Sequence, residues 1–169
     1  MPTRDNFYCI GVSYKKADAA LRGRFSITSK AIPFLLDDAK SKGIDSLVLS
    51  STCNRTELYA QAPNCELLVE LLFKHSEGTV QDFKIAGNTY EGAEAISHLF
   101  FVGTGLDSQI LGDFEIISQL KKSFKISKKS NMLSPYMERM FNGVLNASKR
   151  IKTETELSSG ATSVSYVSG

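Results

Sequence analysis

The run Ser51-Thr52-Cys53-Asn54-Arg55 sets a thiol two residues from a guanidinium, directly after the apolar stretch SLVLS. A short turn at the end of a strand can present its side chains to solvent. A nearby cation favours thiolate over thiol, and the thiolate is the nucleophile. Arg55 could equally bind a substrate carboxylate through its planar fork. The plainer alternative for Cys53 is an inert, half-buried thiol. His98 is one of only two histidines, and a histidine is the usual proton partner of a working cysteine, although 45 residues of separation prove nothing about geometry. A surface histidine is the competing reading. His75, near the end of a polar-faced helix, is expected to have no role. A third stretch, VGTGLDSQILGD, offers Gly103 and Gly105 in a GxG pattern, but Ser108 replaces the third glycine and a helix precedes it instead of a strand. It fails as a dinucleotide fingerprint and as a P-loop. Its glycines let the chain turn tightly and leave Asp107 and Ser108 at a pocket rim, with a plain helix-to-helix turn as the alternative.

These residues need elements to hold them. NFYCIGVSY reads as a first strand, followed by a polar stretch and the helical SKAIPFLLDDAKSKG, which stops at Gly43. DSLVLSS is a second strand and TELYAQA a third, with TCNR as the short joint between them. NCELLVELLFKHSEG reads as a helix with Asn64 as N-cap, Leu68, Leu71 and Leu72 inward, and a stop at Gly78. VQDFKIAG is read as a fourth, short strand. From about Tyr90 the pattern becomes helical. One helix carries Ile96, Leu99 and Phe100 on a face with His98 on its flank; the next is capped by Asp113 and repeats Ile116, Leu120 and Phe124. The last has Ser134 as N-cap and Pro135 at the first helical position, with Met137, Phe141, Val144 or Leu145, Ser148 and Ile151 at helical spacing.

With 169 residues the chain is long enough for one domain with a real core. No apolar stretch approaches the roughly 20 residues that span a bilayer, and the opening lacks the regions of a signal peptide, so a cytoplasmic protein is expected. Three cysteines without CxxC spacing argue against a disulfide framework and a structural metal site. Cys9 and Cys65 are read as structural. Charge is uneven: nine Lys or Arg against the single Glu138 between Lys121 and Lys152 leave a net of −6 for the rest of the chain. A basic segment on an acidic body suggests a phosphate-bearing partner; a solvated helical face is the alternative.

Taken together, SSTCNRTELY, ISHLFFVGTGLDSQILGD and LSSGATSVS resemble the N-terminal catalytic domain of glutamyl-tRNA reductase, an enzyme family of tetrapyrrole (porphyrin and haem) biosynthesis. The resemblance covers nearly the whole chain. It implies that Cys53 takes the glutamyl group from glutamyl-tRNA as a thioester, which NADPH reduces to glutamate-1-semialdehyde in the full-length enzyme, with no metal. It implies that Arg55 holds the substrate carboxylate, that Thr52 and Asn54 line the same pocket, that Ser108 and Gln119 contact substrate, and that His98 assists proton transfer. Asp113, Phe114 and Glu115 stand where the family has Glu-Pro-Gln, and SYKKAD stands where it has Asn-His-Lys-Thr-Ala-Pro. As partners it implies glutamyl-tRNA, a second subunit in a homodimer, and glutamate-1-semialdehyde aminomutase. The expected fold is α+β: a small, mostly antiparallel sheet of ferredoxin-like character with helices on one face, and a helical C-terminal half. Residues 1–155 are expected to form the acyl-transfer domain and 156–169 to begin a linker to an NADPH-binding domain. The competing function is a non-catalytic RNA- or regulator-binding module with an incidental thiol. A cysteine hydrolase is a third reading, without an evident oxyanion-hole glycine beside the nucleophile.

Overall fold

The computed structural model describes residues 6–106 and 115–168, with side chains described as far as residue 154. Four strands, β1 (Phe7–Ser13), β2 (Ser46–Ser51), β3 (Arg55–Gln61) and β4 (Gly87–Glu91), form one sheet in the order β2-β3-β1-β4. All three neighbouring pairs are antiparallel. The helices are α1 (Ala19–Arg24), α2 (Ile32–Ser41), α3 (Cys65–His75), α4 (Val80–Ala86), α5 (Ala93–Gly103), α6 (Glu115–Lys129) and α7 (Pro135–Ser168). The first half is thus a βαββαβ arrangement with short extra helices, as expected, and the helical second half follows it.

Both faces of the sheet are covered, which explains why β1 and β3 are buried along their whole length. Period-two alternation divides each strand between two cores. Tyr8, Ile10 and Val12 of β1, with Leu47, Leu49, Leu58 and Ala60, pack with α2 and α3. Phe7, Cys9, Val48 and Tyr59 point the other way, into a second core with Leu99, Leu120, Phe141 and Val144 from α5, α6 and α7. The helical half therefore lies on the sheet's second face. Gly11 lets β1 and β3 approach closely, because a Cβ there would fall on the Thr56 carbonyl oxygen.

The helix ends follow their capping chemistry. The Asn64 side chain accepts from the Leu67 N–H at 3.1 Å, and the Ser134 hydroxyl accepts from the Met137 N–H at 3.1 Å. Gly43 follows α2 in the left-handed region with φ 81°. VQDFKIAG is helix α4, because Thr79 and Asp82 form a reciprocal capping box at its start. The fourth strand comes immediately after it, in the polar GNTYE, which pairs through its backbone with β1 at the sheet edge. The polar stretch after β1 contains α1, capped by Asp18; it buries no residue and so leaves no periodic stripe to detect. On α5 the buried side chains are Ala95, Leu99 and Val102, with Ile96 and Phe100 only partly buried, so the inward face is turned toward the flank that carries His98. The backbone of α7 continues as helix through the small, polar stretch after residue 155. Among the described residues, no helix is long and apolar enough to cross a membrane.

Candidate active site

Cys53 is exposed in the turn between β2 and β3, and the turn is held from three sides. Within it, the Thr52 N–H donates to the Arg55 carbonyl at 2.8 Å, and the Thr52 hydroxyl oxygen accepts from the Asn54 and Arg55 N–H groups at 3.2 and 3.3 Å. From the end of β1, the Tyr14 N–H donates to the Asn54 carbonyl at 2.9 Å. From α1, Arg22 Nε donates to the Cys53 carbonyl at 2.9 Å while its Nη1 donates to the Ala17 carbonyl at 2.7 Å. The backbone of the nucleophile candidate is thus fixed while its thiol faces outward. Thr52→Val removes the hydroxyl that two amides use. It should cost about 1–3 kcal/mol and raise the exchange rates of the Asn54 and Arg55 amides, as hydrogen exchange would report.

Arg55 does not lie out beside the thiol in the way its spacing suggests. Its side chain is buried, with Nη1 on Glu57 Oε1 at 3.1 Å and its guanidinium carbon 6.0 Å from the centre of the Tyr14 ring. The guanidinium that hydrogen-bonds the Cys53 residue is that of Arg22, in a segment whose sequence reads only as polar.

Glu57 organises the interior of the site. Arg55, Glu57 and Tyr59 alternate along β3 onto one face, the face that α5 covers, so polar side chains meet under a helix instead of in water. The Tyr59 hydroxyl donates to Glu57 Oε1 at 2.6 Å, and His98 Nε2 lies 2.6 Å from Glu57 Oε2. Cys9 Sγ, across the β1–β3 pair, is 3.9 Å from the same Oε2. Burial by itself pushes the Glu57 carboxyl up, but the His98 hydrogen bond and charge, then Arg55 and the Tyr59 hydroxyl, outweigh it and hold the carboxyl at about 2. Burial, reinforced by the Glu57 charge, pushes both the Cys9 thiol and the Tyr59 phenol up.

His98 is no surface histidine: its side chain is 10% exposed, and its ring stacks on Tyr90 with centroids 4.2 Å apart and planes at 12°. A cleft of about 420 Å³ opens against it, lined by Lys15, Tyr90, Glu94, Ser97, His98 and Phe101 among others. The described residues therefore bring Arg55 and His98 together through one carboxylate and set the Cys53 turn at the head of the same strand. Glu115 begins α6 with its side chain exposed, and Gln119 is half-buried one turn later, whereas the clamps on the 52–55 turn described above come from the turn itself, from β1 and from α1. Ser108, Asp113 and Phe114, with Asp107, lie outside the described residues. A larger cleft of about 600 Å³, lined by Thr28, Phe34, Lys74 and His75 among others, shares no residue with this site. His75 does have a role there, since its Nε2 meets Asp38 Oδ2 at 2.9 Å and ties α3 to α2.

Sequence reasoning assigns no role to Tyr59, Tyr90 or Arg22, and meets Glu57 only as the acidic position of the Thr-Cys-Asn-Arg-x-Glu element. A signal for Glu57 and Tyr59 exists, because period two places Arg55, Glu57 and Tyr59 on one face; nothing in the sequence indicates that this face is covered.

The family model for glutamyl-tRNAGlu reductase, N-terminal domain, matches residues 10–155. A glutamyl-tRNA reductase of Flavobacterium psychrophilum is 56% identical over 168 residues, which is 99% of this chain and 41% of that protein. One from Christiangramia forsetii is 55% identical over 163 residues, 96% of this chain and 39% of that protein. The solved glutamyl-tRNA reductase of Methanopyrus kandleri superposes with a TM-score of 0.75 at 26% identity, covering 89% of this chain and 35% of that one. The chain thus spans about two fifths of the length of these curated relatives. With nearly its whole length matched in sequence and in fold, the chain belongs to the glutamyl-tRNA reductase family, in the part that the family describes as the N-terminal domain.

Proposed function

We propose that this chain performs the acyl-transfer half of glutamyl-tRNA reduction, a step in tetrapyrrole biosynthesis. The Cys53 thiolate attacks the ester carbonyl that joins glutamate to the 3′ end of tRNA. The C–O bond breaks, the tRNA oxygen leaves and takes a proton, and glutamate remains on Sγ as a thioester. Arg55 holds the carboxylate of the glutamyl side chain or shapes the pocket that does, and His98 moves the proton. A thioester accepts hydride more readily than an oxygen ester, which is the chemical reason for a sulfur nucleophile ahead of a reduction.

The observation that carries this reading is an exposed thiol on a clamped turn, at the head of the strand whose buried Arg55 and Glu57 lead to His98. The test is incubation of the chain with tRNA charged with labelled glutamate. The expected result is release of uncharged tRNA together with a hydroxylamine-labile label on the protein. Release of tRNA without label on protein would mean hydrolysis instead, and neither would leave a binding module. His98→Ala should slow label transfer by roughly 10²–10⁴-fold without changing its end point.

NADPH would supply hydride to the thioester. The described residues do not fit such a cofactor: Gly103 and Gly105 close helix α5, with Gly103 packed against Val144, where a dinucleotide turn follows a strand and opens a helix. Reduction, dimerisation and any hand-over to an aminomutase are therefore proposed of the whole protein.

A tRNA-binding surface is favoured by one further observation. All nine Lys and Arg residues between Lys121 and Lys152 are exposed on α6 and α7, with Lys128 paired to Glu138 and Arg150 to Glu154. Replacing Lys121, Lys122 and Lys125 with Gln should reduce the slope of log K against log salt for tRNA binding by about 0.7–0.9 for each phosphate that is no longer neutralised. An unchanged slope would make this a solvated face.

A further inference from the structure

A thiol and an imidazole meet the Glu57 carboxylate at Oε2, and the three are ligand types that zinc selects. We infer that Cys9, Glu57 and His98 form a three-ligand site for a divalent transition-metal ion of the zinc class, and that its occupation switches the acyl-transfer site off.

The distances suit such an ion. Cys9 Sγ, a Glu57 oxygen and a His98 ring nitrogen lie within 4.8 Å of one another. Ligand bonds of about 2.0–2.3 Å in a tetrahedral arrangement put donor atoms roughly 3.3–3.6 Å apart. The 3.9 Å between Sγ and Oε2 would close slightly, and the 2.6 Å between Nε2 and Oε2 would open by about 1 Å or less to reach that spacing. The donors come from β1, β3 and α5, elements packed into one core, so the site is held by the fold.

The outer groups are also in place. Glu57 divides its oxygens: Oε1 is held by Arg55 Nη1 and the Tyr59 hydroxyl, leaving Oε2 as a single ligand atom of fixed direction. Tyr90 stacked on the imidazole sets the ring plane. The cleft lined by His98, with Glu94 at its wall, connects the ring side of the cluster to solvent and gives an ion its route and a water its fourth position. The exchange balances. Sγ gives up its proton to solvent. The proton between Nε2 and Oε2 moves to Nδ1 when the ring is neutral or leaves when it is charged.

Binding itself does not depend on the acyl-transfer reading; the inhibitory consequence rests on it. A bound ion would occupy Oε2 and the ring nitrogen that faces it while Arg55 stays on Oε1, so His98 could no longer carry the proton it shares with Glu57.

Cobalt(II) reads the site without any assay of activity. In the full chain carrying Cys53→Ser and Cys65→Ser, Cys9 is the only thiol. Cobalt titration should then give a near-ultraviolet thiolate-to-cobalt charge-transfer band that saturates at one equivalent and is displaced by zinc. Adding Cys9→Ser, which keeps the side chain's size, should abolish the band. No band in a protein with native near-ultraviolet circular dichroism, or a band that survives Cys9→Ser, would overturn the site. With Cys53 intact, zinc should inhibit label transfer, and Cys9→Ser should raise the required zinc at least about tenfold, the loss of one of three ligands. Equal sensitivity of the two proteins would place inhibition at Cys53 and overturn the switch. A chain that shows the cobalt band but never takes up glutamate would separate failure of the acyl-transfer reading from failure of the metal site.

Discussion

Cys53→Ser is expected to abolish label transfer from glutamyl-tRNA to the protein, by at least about 10³-fold, while leaving the fold intact. The loss is chemical: a serine hydroxyl stays protonated at neutral pH, and its product would be another oxygen ester with no gain toward reduction. The fold survives because the turn is held through the backbone. Arg22 Nε bonds the Cys53 carbonyl, the Thr52 amide bonds the Arg55 carbonyl, and the thiol itself is exposed. Label transfer, tRNA binding and circular dichroism measured on the same preparation check all three parts. A serine variant that still accumulates labelled protein would remove Cys53 from the reaction and return the turn to a structural role.

Glu57→Ala should be the most destabilising single change near the site. It removes the carboxylate that the buried Arg55 guanidinium, the Tyr59 hydroxyl and His98 all bond, at positions where water does not readily compensate. Breaking one side of a buried pair typically costs about 3–5 kcal/mol. For a domain of this size that corresponds to a fall in Tm of roughly 10 °C or more, readable by calorimetry. Glu57→Gln keeps an oxygen for Arg55 and should cost less.

The same carboxylate makes stability depend on pH in a defined window. Its pKa is lowered from 4.5 to about 2 in the fold, so its contribution is complete above pH 4.5 and is lost as pH falls toward 2. At about 1.4 kcal/mol per unit this amounts to roughly 3 kcal/mol. Denaturant unfolding between about pH 5 and pH 2 should show that slope in the native chain and a reduced slope in Glu57→Gln. Asp38, also held at about 2 by hydrogen bonds from His75 and Lys74, contributes in the same direction and is left in both proteins.

Much of the arrangement is legible along the chain because it is local. Alternation locates β1, β2 and β3; Asn64, Ser134 and Gly43 mark helix ends through side-chain or backbone rules that act within a few residues. The joint TCNR, the presented Cys53 and the family motif around it are likewise readable without a fold. Where local signals are weak, sequence and structure part. Helix α4 reads as a strand because its seven residues make only about two turns, too short for a helical periodicity to stand out, so that its capping box is the strongest sign of its type. β4 escapes notice because an edge strand needs only backbone pairing and carries little apolar pattern.

The linear order of residues specifies which chemistry is on hand: one presented thiol, an arginine two residues on, and a histidine elsewhere. It also specifies the three antiparallel strands and the helical second half that carry them. What those groups do for one another comes from packing alone. Placing α5 across the second face of the sheet buries the polar side of β3, turns Arg55 inward, and brings His98 and Cys9 onto a single carboxylate from 41 and 48 residues away. Period two can say which side chains share a face. Whether that face meets water or another element depends on contacts between distant segments, and here those contacts make Glu57 the centre of the site.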